Sequence, residues 1–522
     1  MGRFEDALTL LAKAGDVQPR NFDVHYNLGK VLLGLKRFDD ALASCDRALD
    51  LAADNENIYN DRGIILKELK RYEDSLESCD RAIALKPDFA EAYYNRGNAL
   101  GSLSRYEDAI TAYGQAISLK PDYADAYYKR GLALQYLKRY EDALANFDRV
   151  ISLEPDYVDA FDSRGVSLAS LGRVEDGVAS LRQAVSIDPS NARLHFNLGQ
   201  ALVIQGKVEE GAVSYEQALK IDPDRSLVHT NLGSALAALG RIDEALASYY
   251  QALKLEPDAK TYFCLHSLLL DPADISPAIQ CLEAAKKLEP WNKDYNLFLG
   301  MLLEYAGRSE SAADYLKEVH QGSNLDKARL DAWNYIKSAN KKIPRMIGSS
   351  IEAFRLGMDA ALPSGLVLEF GVRFGVTIRQ IAGLTAQQVY GFDSFEGIPE
   401  DWHDEAKGSY TTNGLLPEVP DNVLLYKGWF EYTLPKFVKE HKDRVRFMNI
   451  DCDLYSSTKT ILDCLAPQIL PGTVIVFDEY IGNLNWRDDE FKAFQEAVGS
   501  YGWNYEYLAF SMLTKQVVVR IL

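Results

Sequence analysis

The chain has 522 residues, too many for one ordinary hydrophobic core, so several domains or a repeat array are expected. Apolar residues make up 47% and charged residues 25%, the balance of a globular rather than a disordered protein. The net charge of −19 argues against nucleic acid or an anionic membrane surface as a partner, because both are negatively charged. The sequence shows no membrane span and no secretory signal, which predicts a cytoplasmic protein.

Glycine recurs every 34 residues through the first half of the chain, at Gly29, Gly63, Gly97, Gly131, Gly165, Gly199 and Gly233. This period resembles the tetratricopeptide repeat, in which each unit is a pair of helices. No unit can bury its apolar face alone, so an α-solenoid is predicted, stacked into a superhelix with a concave groove. The period fades after Pro257 and returns at Gly300, which predicts a repeat domain over 1–320 with degenerate last units.

Two polar residue types share repeat positions. Asparagines stand two residues before the repeat glycine and are predicted to face the groove, at Asn27, Asn95, Asn197 and Asn231. An amide can donate to and accept from an extended backbone, and a similar ladder in O-linked N-acetylglucosamine transferases suggests a protein or peptide partner. The alternative is that these amides only bond between helices. Three histidines share another register, which predicts packing rather than chemistry, at His25, His195 and His229.

The second half of the chain alternates strand and helix patterns. A helical linker is predicted over 321–345 and a second domain over 346–522. Strands are predicted over 366–371, 388–393, 422–427, 445–451, 473–478, 504–510 and 515–521, and helices over 375–383, 432–441, 456–469 and 488–500. This order predicts a Rossmann-like α/β sheet, mostly parallel. The last two strands have no helix between them and should form a C-terminal antiparallel β-hairpin, an arrangement that resembles class I S-adenosylmethionine-dependent methyltransferases.

The first predicted strand of this domain leads into a glycine-rich turn. Gly371 and Gly375 follow the strand, and Asp393 ends the next one. Glycines let the backbone approach a ligand closely, and a helix start offers free N–H groups. A carboxylate at the second strand's end suits the two hydroxyls of a ribose. The spacing is not the GxGxxG of dinucleotide folds, and Glu369 suits an ammonium group, which S-adenosylmethionine carries and NAD lacks.

Five further segments strengthen the methyltransferase interpretation: YGFDSFEGIP (390–399), LYKGWFEYTLP (425–435), NIDCDLYSSTKTIL (449–462), LPGTVIVFDEY (470–480) and EFKAFQE (490–496). In this order and spacing they resemble the macrocin O-methyltransferase family, whose members methylate sugar hydroxyls of natural products with S-adenosylmethionine. The resemblance implies further cofactor contacts at Ser394, Gly428, Trp429 and Phe430. The chain departs from the usual pattern at Arg373, where a glycine is common, and at Tyr432, where an acid is common.

Three carboxylates follow the next strands. Asp451 ends one strand, and Asp478 and Glu479 end its neighbour, so their tips should converge. Oxygen-only ligands suit Mg²⁺, and the resemblance places metal ligands at these positions, with Asp453 an alternative to Asp451. A metal there would lower the pKa of an acceptor hydroxyl and aim it at the methyl carbon, which makes Asp451 a predicted catalytic, cofactor-binding and metal-binding residue.

The long polar segment 400–420 is predicted to be a lid over the site. His403 within it is a candidate catalytic base, and the alternative is a solvated loop residue.

These features together predict an S-adenosylmethionine-dependent, Mg²⁺-assisted O-methyltransferase. The acceptor would be a hydroxyl of a sugar, glycan or other natural product, and the repeats would recruit the acceptor or a partner. Two alternatives are an interaction scaffold with an inactive methyltransferase domain and a protein side-chain methyltransferase. The complete set of Glu369, Asp393, Asp451, Asp478 and Glu479 argues against the scaffold.

Overall fold

The computed structural model describes residues 2–339, 342–403 and 405–522, and the side chains of all these except 2–4 and 15. Positions 340 and 341 of the predicted linker and Asp404 of the predicted lid lie outside the described residues. The chain divides into two compact units, Met1–Ala201 and Leu202–Leu522. The later repeats therefore belong to the same unit as the α/β domain, and the boundaries at 320 and 346 stay a prediction.

The N-terminal part is helical throughout. From Phe22 to Leu255 each repeat pairs a 13-residue helix with a 14-residue helix. The helices are α1 (Gly2–Val17), α2 (Phe22–Gly34), α3 (Phe38–Leu51), α4 (Glu56–Glu68), α5 (Tyr72–Leu85), α6 (Ala90–Ser102), α7 (Tyr106–Leu119), α8 (Ala124–Tyr136), α9 (Tyr140–Leu153), α10 (Val158–Ser170), α11 (Val174–Ile187), α12 (Ala192–Ile204), α13 (Val208–Ile221), α14 (Ser226–Ala238), α15 (Ile242–Leu255), α16 (Ala259–Leu268), α17 (Ser276–Leu288), α18 (Lys293–Tyr305), α19 (Ser309–His320) and α20 (Asn324–Ser338).

Helix packing explains the 34-residue glycine period. The repeat glycine of the first helix lies against the side chain 16 positions later, on the second helix. A Cβ added to Gly97 would fall 2.5 Å from the Tyr113 ring, and one added to Gly131 would fall 2.6 Å from the Phe147 ring. Both rings are buried, so neither has space to move away. Glycine at this position is therefore what lets the two helices of a unit pack closely.

The three repeat histidines bind backbone rather than line a reactive site. The Nε2 atoms lie 2.9–3.0 Å from the carbonyl oxygen of the proline six residues earlier, in the pairs His25–Pro19, His195–Pro189 and His229–Pro223. Each histidine thus closes the turn that enters its repeat, and the predicted packing role is confirmed.

The α/β domain contains one eight-stranded sheet in the order β1-β7-β8-β6-β5-β2-β3-β4. Strand β8 runs antiparallel to β6 and β7, and the other pairs are parallel, so the predicted mixed sheet with its hairpin is confirmed. The strands are β1 (Arg345–Met346), β2 (Leu366–Phe370), β3 (Val389–Asp393), β4 (Val423–Lys427), β5 (Val445–Ile450), β6 (Val474–Phe477), β7 (Tyr505–Phe510) and β8 (Val517–Ile521). The two-residue β1 is absent from the sequence prediction because it is too short to show periodicity.

Helices cover both faces of this sheet. They are α21 (Ser350–Ala360), α22 (Val376–Gly383), α23 (Phe430–Glu440), α24 (Tyr455–Leu465), followed by a 3₁₀ turn, and α25 (Glu490–Tyr501). Alternate residues of β2 enter opposite layers: Val367 packs in the cluster with Phe354 and Phe447, whereas Leu368 and Phe370 pack in the other cluster. Among the described residues, no helix is long and apolar enough to cross a membrane.

We expect Gly97→Ala to destabilise the repeats by about 1–3 kcal/mol, because its methyl group would overlap the buried Tyr113 ring. Gly114→Ala is the matched control in the partner helix α7, since the nearest atom to its Cβ is 3.9 Å away. It should stabilise by about 0.5–1 kcal/mol through helix propensity. Urea unfolding followed by circular dichroism measures both, and equal effects would contradict the packing explanation.

Candidate active site

Three residues of the glycine turn, which we define as residues 371–375 between β2 and α22, adopt left-handed backbone angles. Gly371 has φ 93°, Arg373 has φ 47° and Gly375 has φ 76°. A Cβ on Gly371 would overlap the carbonyl oxygen of Asp451, the residue that follows β5. Glycine is therefore required there by both its φ angle and the close backbone approach. Arg373 adopts the same conformation without being a glycine, which is a strained arrangement.

Asp393, at the end of β3, is held in one orientation by backbone amides. Its Oδ2 accepts from the N–H of Arg373 at 2.7 Å, and its Oδ1 accepts from the N–H of Phe395 at 2.6 Å. Burial raises its pKa, and these amide bonds oppose the rise. Each carboxylate oxygen keeps a second lone pair, so Asp393 can still accept from ribose hydroxyls.

A cavity of about 480 Å³ opens at the C-terminal edge of the parallel strands. Most of the predicted site residues line it: Gly371, Asp393, Ser394, Trp429, Phe430, Asp451, Asp478 and Glu479. It also contains Glu431 and Ser456, which sequence reasoning did not assign to the site, and Glu400, Trp402 and Tyr410 of the segment predicted to be a lid. Arg373 and Asp453, weighed only as a departure and as an alternative ligand, line it as well.

Four of the predicted site residues are not among those that line the cavity. Gly375 and Gly428 shape turns, with φ 76° and 136°. Glu369 is fully buried in β2, where its Oε1 accepts from the Asn449 amide at 3.1 Å and its Oε2 has no hydrogen-bond partner. Burial raises the pKa of Glu369 to about 8. An orphaned carboxylate oxygen beside the glycine turn is compatible with a cationic group of a bound cofactor.

His403 is the fourth. Its Nε2 lies 3.0 Å from Asp489 Oδ2 and its Nδ1 lies 3.4 Å from the Asn485 amide nitrogen. It is not among the residues that line the cavity, whereas its neighbour Trp402 is. In this arrangement both ring nitrogens face partners in the 480s segment, so His403 ties the 400–420 segment to residues 485 and 489. Action as a base would require the ring to leave these partners.

One side of the cavity is strongly acidic, with Asp451, Asp453, Asp478 and Glu479 in its lining. Burial, followed by the charge of Glu479, raises the pKa values of Asp453 and Asp478 to about 7. Burial and then Asp478 raise the pKa of Asp451 well above its usual range. Lys515 Nζ lies 3.0 Å from Glu479 Oε2. Because several carboxylates share one site, some of them must hold protons or attract a cation.

Glu490 is the residue of this cluster that sequence reasoning missed. It begins α25, is 0% exposed, and neither carboxylate oxygen has a hydrogen-bond partner. Burial and then the charges of Asp453 and Asp478 raise its pKa well above the usual range. In the sequence Glu490 is an acid at the start of a predicted helix. Acids are common there because they interact favourably with the helix dipole, so nothing marked Glu490 as a site residue.

The donor chemistry fits a hard cation, since Asp451, Asp478 and Glu479 present oxygens to one cavity. As a set of metal ligands, however, Asp478 and Glu479 already have protein partners. Asp478 Oδ1 accepts from the Gln516 amide at 2.5 Å, and Lys515 and Asn483 occupy Glu479. Within the described parts of the chain, no three His, Cys, Asp or Glu side chains are positioned to hold a metal ion.

Most of the four repeat asparagines bond to other parts of the repeats. The Asn95 amide donates to Asn60 Oδ1 at 2.9 Å, and the Asn197 amide donates to Asp162 Oδ1 at 2.8 Å. These are bonds between successive repeats, as the packing alternative expects. Asn27 is exposed, and the half-buried Asn231 hydrogen-bonds to Tyr215 of the preceding helix.

Comparisons with known proteins agree with this architecture. Tetratricopeptide repeat families match residues 1–56, 65–104, 97–138, 124–157, 165–206, 199–240 and 226–259, and a methyltransferase domain family matches residues 368–480. A curated relative from Streptomyces olivaceus, 8-demethyl-8-(2,3-dimethoxy-alpha-L-rhamnosyl)-tetracenomycin-C 4'-O-methyltransferase, is 35% identical over 118 residues. That match covers 19% of this chain and 44% of the relative, less than half its length.

Solved structures resemble parts of the chain. A crystal structure of MamA is 26% identical, covering 31% of this chain and 95% of that one, with a TM-score of 0.30. A tetratricopeptide repeat protein from Parabacteroides merdae is 16% identical, covering 45% and 93%, with a TM-score of 0.38. From the family matches, the chain consists of N-terminal tetratricopeptide repeats and a C-terminal methyltransferase domain.

Proposed function

We propose that the chain is an S-adenosylmethionine-dependent O-methyltransferase. The observation that carries the proposal is one cavity in which a cofactor side and an acidic side meet. Gly371, Asp393 and Trp429 form the first side, and Asp451 and Asp453 belong to the second. A glycine turn, a ribose-binding carboxylate and an aromatic wall suit an adenosyl group, and carboxylates with pKa values near neutrality suit removal of a hydroxyl proton.

The reaction follows from these groups. Bound S-adenosylmethionine supplies a methyl group on a sulfonium sulfur. Asp453 in its ionised form takes the proton of the acceptor hydroxyl, because a carboxyl group whose pKa is raised to about 7 is partly ionised near neutral pH and is then a competent base. The acceptor oxygen bonds to the methyl carbon as the carbon–sulfur bond breaks, and the sulfur keeps the electron pair. A cavity that binds both molecules would hold the acceptor oxygen close to the methyl carbon.

A sugar or other natural-product hydroxyl is the acceptor we favour. The Streptomyces olivaceus relative is named as a 4'-O-methyltransferase of a rhamnosyl tetracenomycin, which is a hydroxyl acceptor of this class. Mg²⁺ held by Asp451, Asp478 and Glu479 would lower the pKa of that hydroxyl. The repeats would bring the acceptor or a partner to the domain, with exposed Asn27 and the half-buried asparagines in their groove. The partner that the repeats recruit would be a protein or a peptide.

Cofactor binding is the first test. Calorimetry should detect S-adenosylmethionine binding to the wild-type chain, and labelled methyl transfer should appear on hydroxyl-bearing acceptors. Gly371→Ala should weaken binding more than about tenfold, because its Cβ would meet the Asp451 carbonyl at a left-handed φ. Gly383→Ala, in α22 with no atom within 4 Å of its Cβ, should bind normally. Failure of the wild-type chain to bind the cofactor would refute the enzyme, and transfer to nitrogen would refute O-methylation.

The metal is tested separately. EDTA should lower methyl transfer by roughly 100-fold, and added Mg²⁺ should restore it. Asp478→Asn should weaken Mn²⁺ binding, followed by electron paramagnetic resonance, while the S-adenosylmethionine dissociation constant stays within about twofold. Asp463→Asn, at an exposed site on α24, is the control. If EDTA and Asp478→Asn both leave transfer unchanged, the metal has no part in the reaction.

Glu369 predicts a pH dependence of stability. Its pKa rises from 4.5 to about 8 on folding, so between these values the unfolded chain releases a proton that the folded chain keeps. Stability should therefore fall as pH rises from 5 to 8, and Glu369→Gln should remove about 3 kcal/mol of that fall. Thermal unfolding across this range measures it, with the exposed Glu440→Gln as control. Parallel curves for wild type and Glu369→Gln would contradict the assignment.

A further inference from the structure

Phe374, the fourth residue of the glycine turn, packs on the repeats. A Cβ added to Gly206 would overlap the Cβ and ring of Phe374, so the side chain lies directly against the Gly206 backbone. Gly206 has φ 79° and forms the turn between α12 and α13. Both residues belong to the compact unit Leu202–Leu522.

Two polar contacts extend this attachment along α22, the helix that the glycine turn opens. Arg379 Nη1 donates to the carbonyl oxygens of Phe374 at 3.2 Å and Glu418 at 3.1 Å, and its Nε lies 3.6 Å from Glu209 Oε1 on α13. The Gln380 amide donates to the carbonyl oxygen of Ala238, at the end of α14. The start of α22 is thus tied to two successive repeats.

The backbone of the glycine turn is strained and depends on its surroundings to keep this conformation. Arg373, which precedes Phe374, adopts φ 47° although it is not a glycine, and such a conformation persists only where surrounding structure holds it. The backbone N–H of Arg373 is also the group that orients Asp393, at 2.7 Å. Movement of Phe374 would therefore disturb both the turn and the carboxylate that faces the cavity.

We propose that Phe374 and Gly206 form a positioning contact through which the repeats set the shape of the glycine turn and so the affinity for S-adenosylmethionine. The inference rests on the proposed function, because it takes that cofactor to be the ligand of the cavity. Phe374 acts through the turn, and neither residue of the pair lines the cavity.

Substitution in the repeats provides the sharpest test, using the full chain. Gly206→Ala should raise the dissociation constant for S-adenosylmethionine about tenfold, since its methyl group would push Phe374 away. Gly307→Ala is the matched control: it is a repeat-turn glycine with φ 74° and no atom within 4 Å of its Cβ. It carries the same backbone strain without the contact, and should leave the dissociation constant within twofold.

The partner residue completes the test. Phe374→Ala should also raise the dissociation constant about tenfold, and Phe374→Leu should restore most of the affinity. The three atoms nearest to a Cβ at 206 all belong to the Phe374 side chain, its Cβ included, so Phe374→Gly removes them. Adding Gly206→Ala to Phe374→Gly should therefore weaken binding no further. The turnover number at saturating cofactor and the acceptor KM should change less than twofold, which a general loss of folding would not produce.

Two results distinguish failure of the positioning contact from failure of the proposed function. If the wild-type chain binds S-adenosylmethionine but Gly206→Ala and Phe374→Ala both bind within twofold of it, the positioning contact is refuted and the proposed function stands. If the wild-type chain does not bind this cofactor, the proposed function and the inference both fail. Thermal unfolding of each variant ensures that dissociation constants are compared between folded proteins.

Discussion

The close approach of two backbones at Gly371 is the constraint on which the site depends. Strands β2 and β5 are parallel neighbours, so the turn after one lies against the residue after the other. The space between Gly371 and the Asp451 carbonyl admits no side chain. Any larger residue would push the glycine turn away from Asp451. This contact is why the glycine turn and the acidic side chains line one cavity.

The acidic half of that cavity is maintained against electrostatic repulsion. Burial raises the pKa of Asp451, Asp453, Asp478 and Glu490, and the charge of a neighbouring carboxylate raises each of them further. A folded domain can tolerate such a cluster only by holding protons, by pairing charges as Lys515 does with Glu479, or by binding a cation. A carboxylate that has lost its proton, or a bound cation that acidifies a hydroxyl, would assist removal of a proton from that hydroxyl, so the cost to stability and the proposed chemistry have one origin.

The sequence predicted features whose cause is local or periodic. The 34-residue glycine spacing reports a contact that recurs in each unit, as Gly97 against Tyr113 shows. The strand runs were predicted to within two residues, because parallel strands buried on both faces are continuous apolar segments. Features that depend on distant partners were not predictable. Glu490 resembles an ordinary helix-start acid until β5 and β6 place their carboxylates beside it, and the partners of His403 lie more than 80 residues away.

By itself, the sequence determined the repeat array, the order of strands and helices, the glycine turn and the acids that follow the strands, because each is a pattern of neighbouring residues. Only the tertiary structure decided which of these acids share a cavity and that His403 faces Asp489 instead of that cavity. It also decided that Phe374 rests on Gly206, a residue 168 positions earlier in the chain (374 − 206). Such contacts depend on how whole helices and strands pack, and no local pattern of residues encodes them.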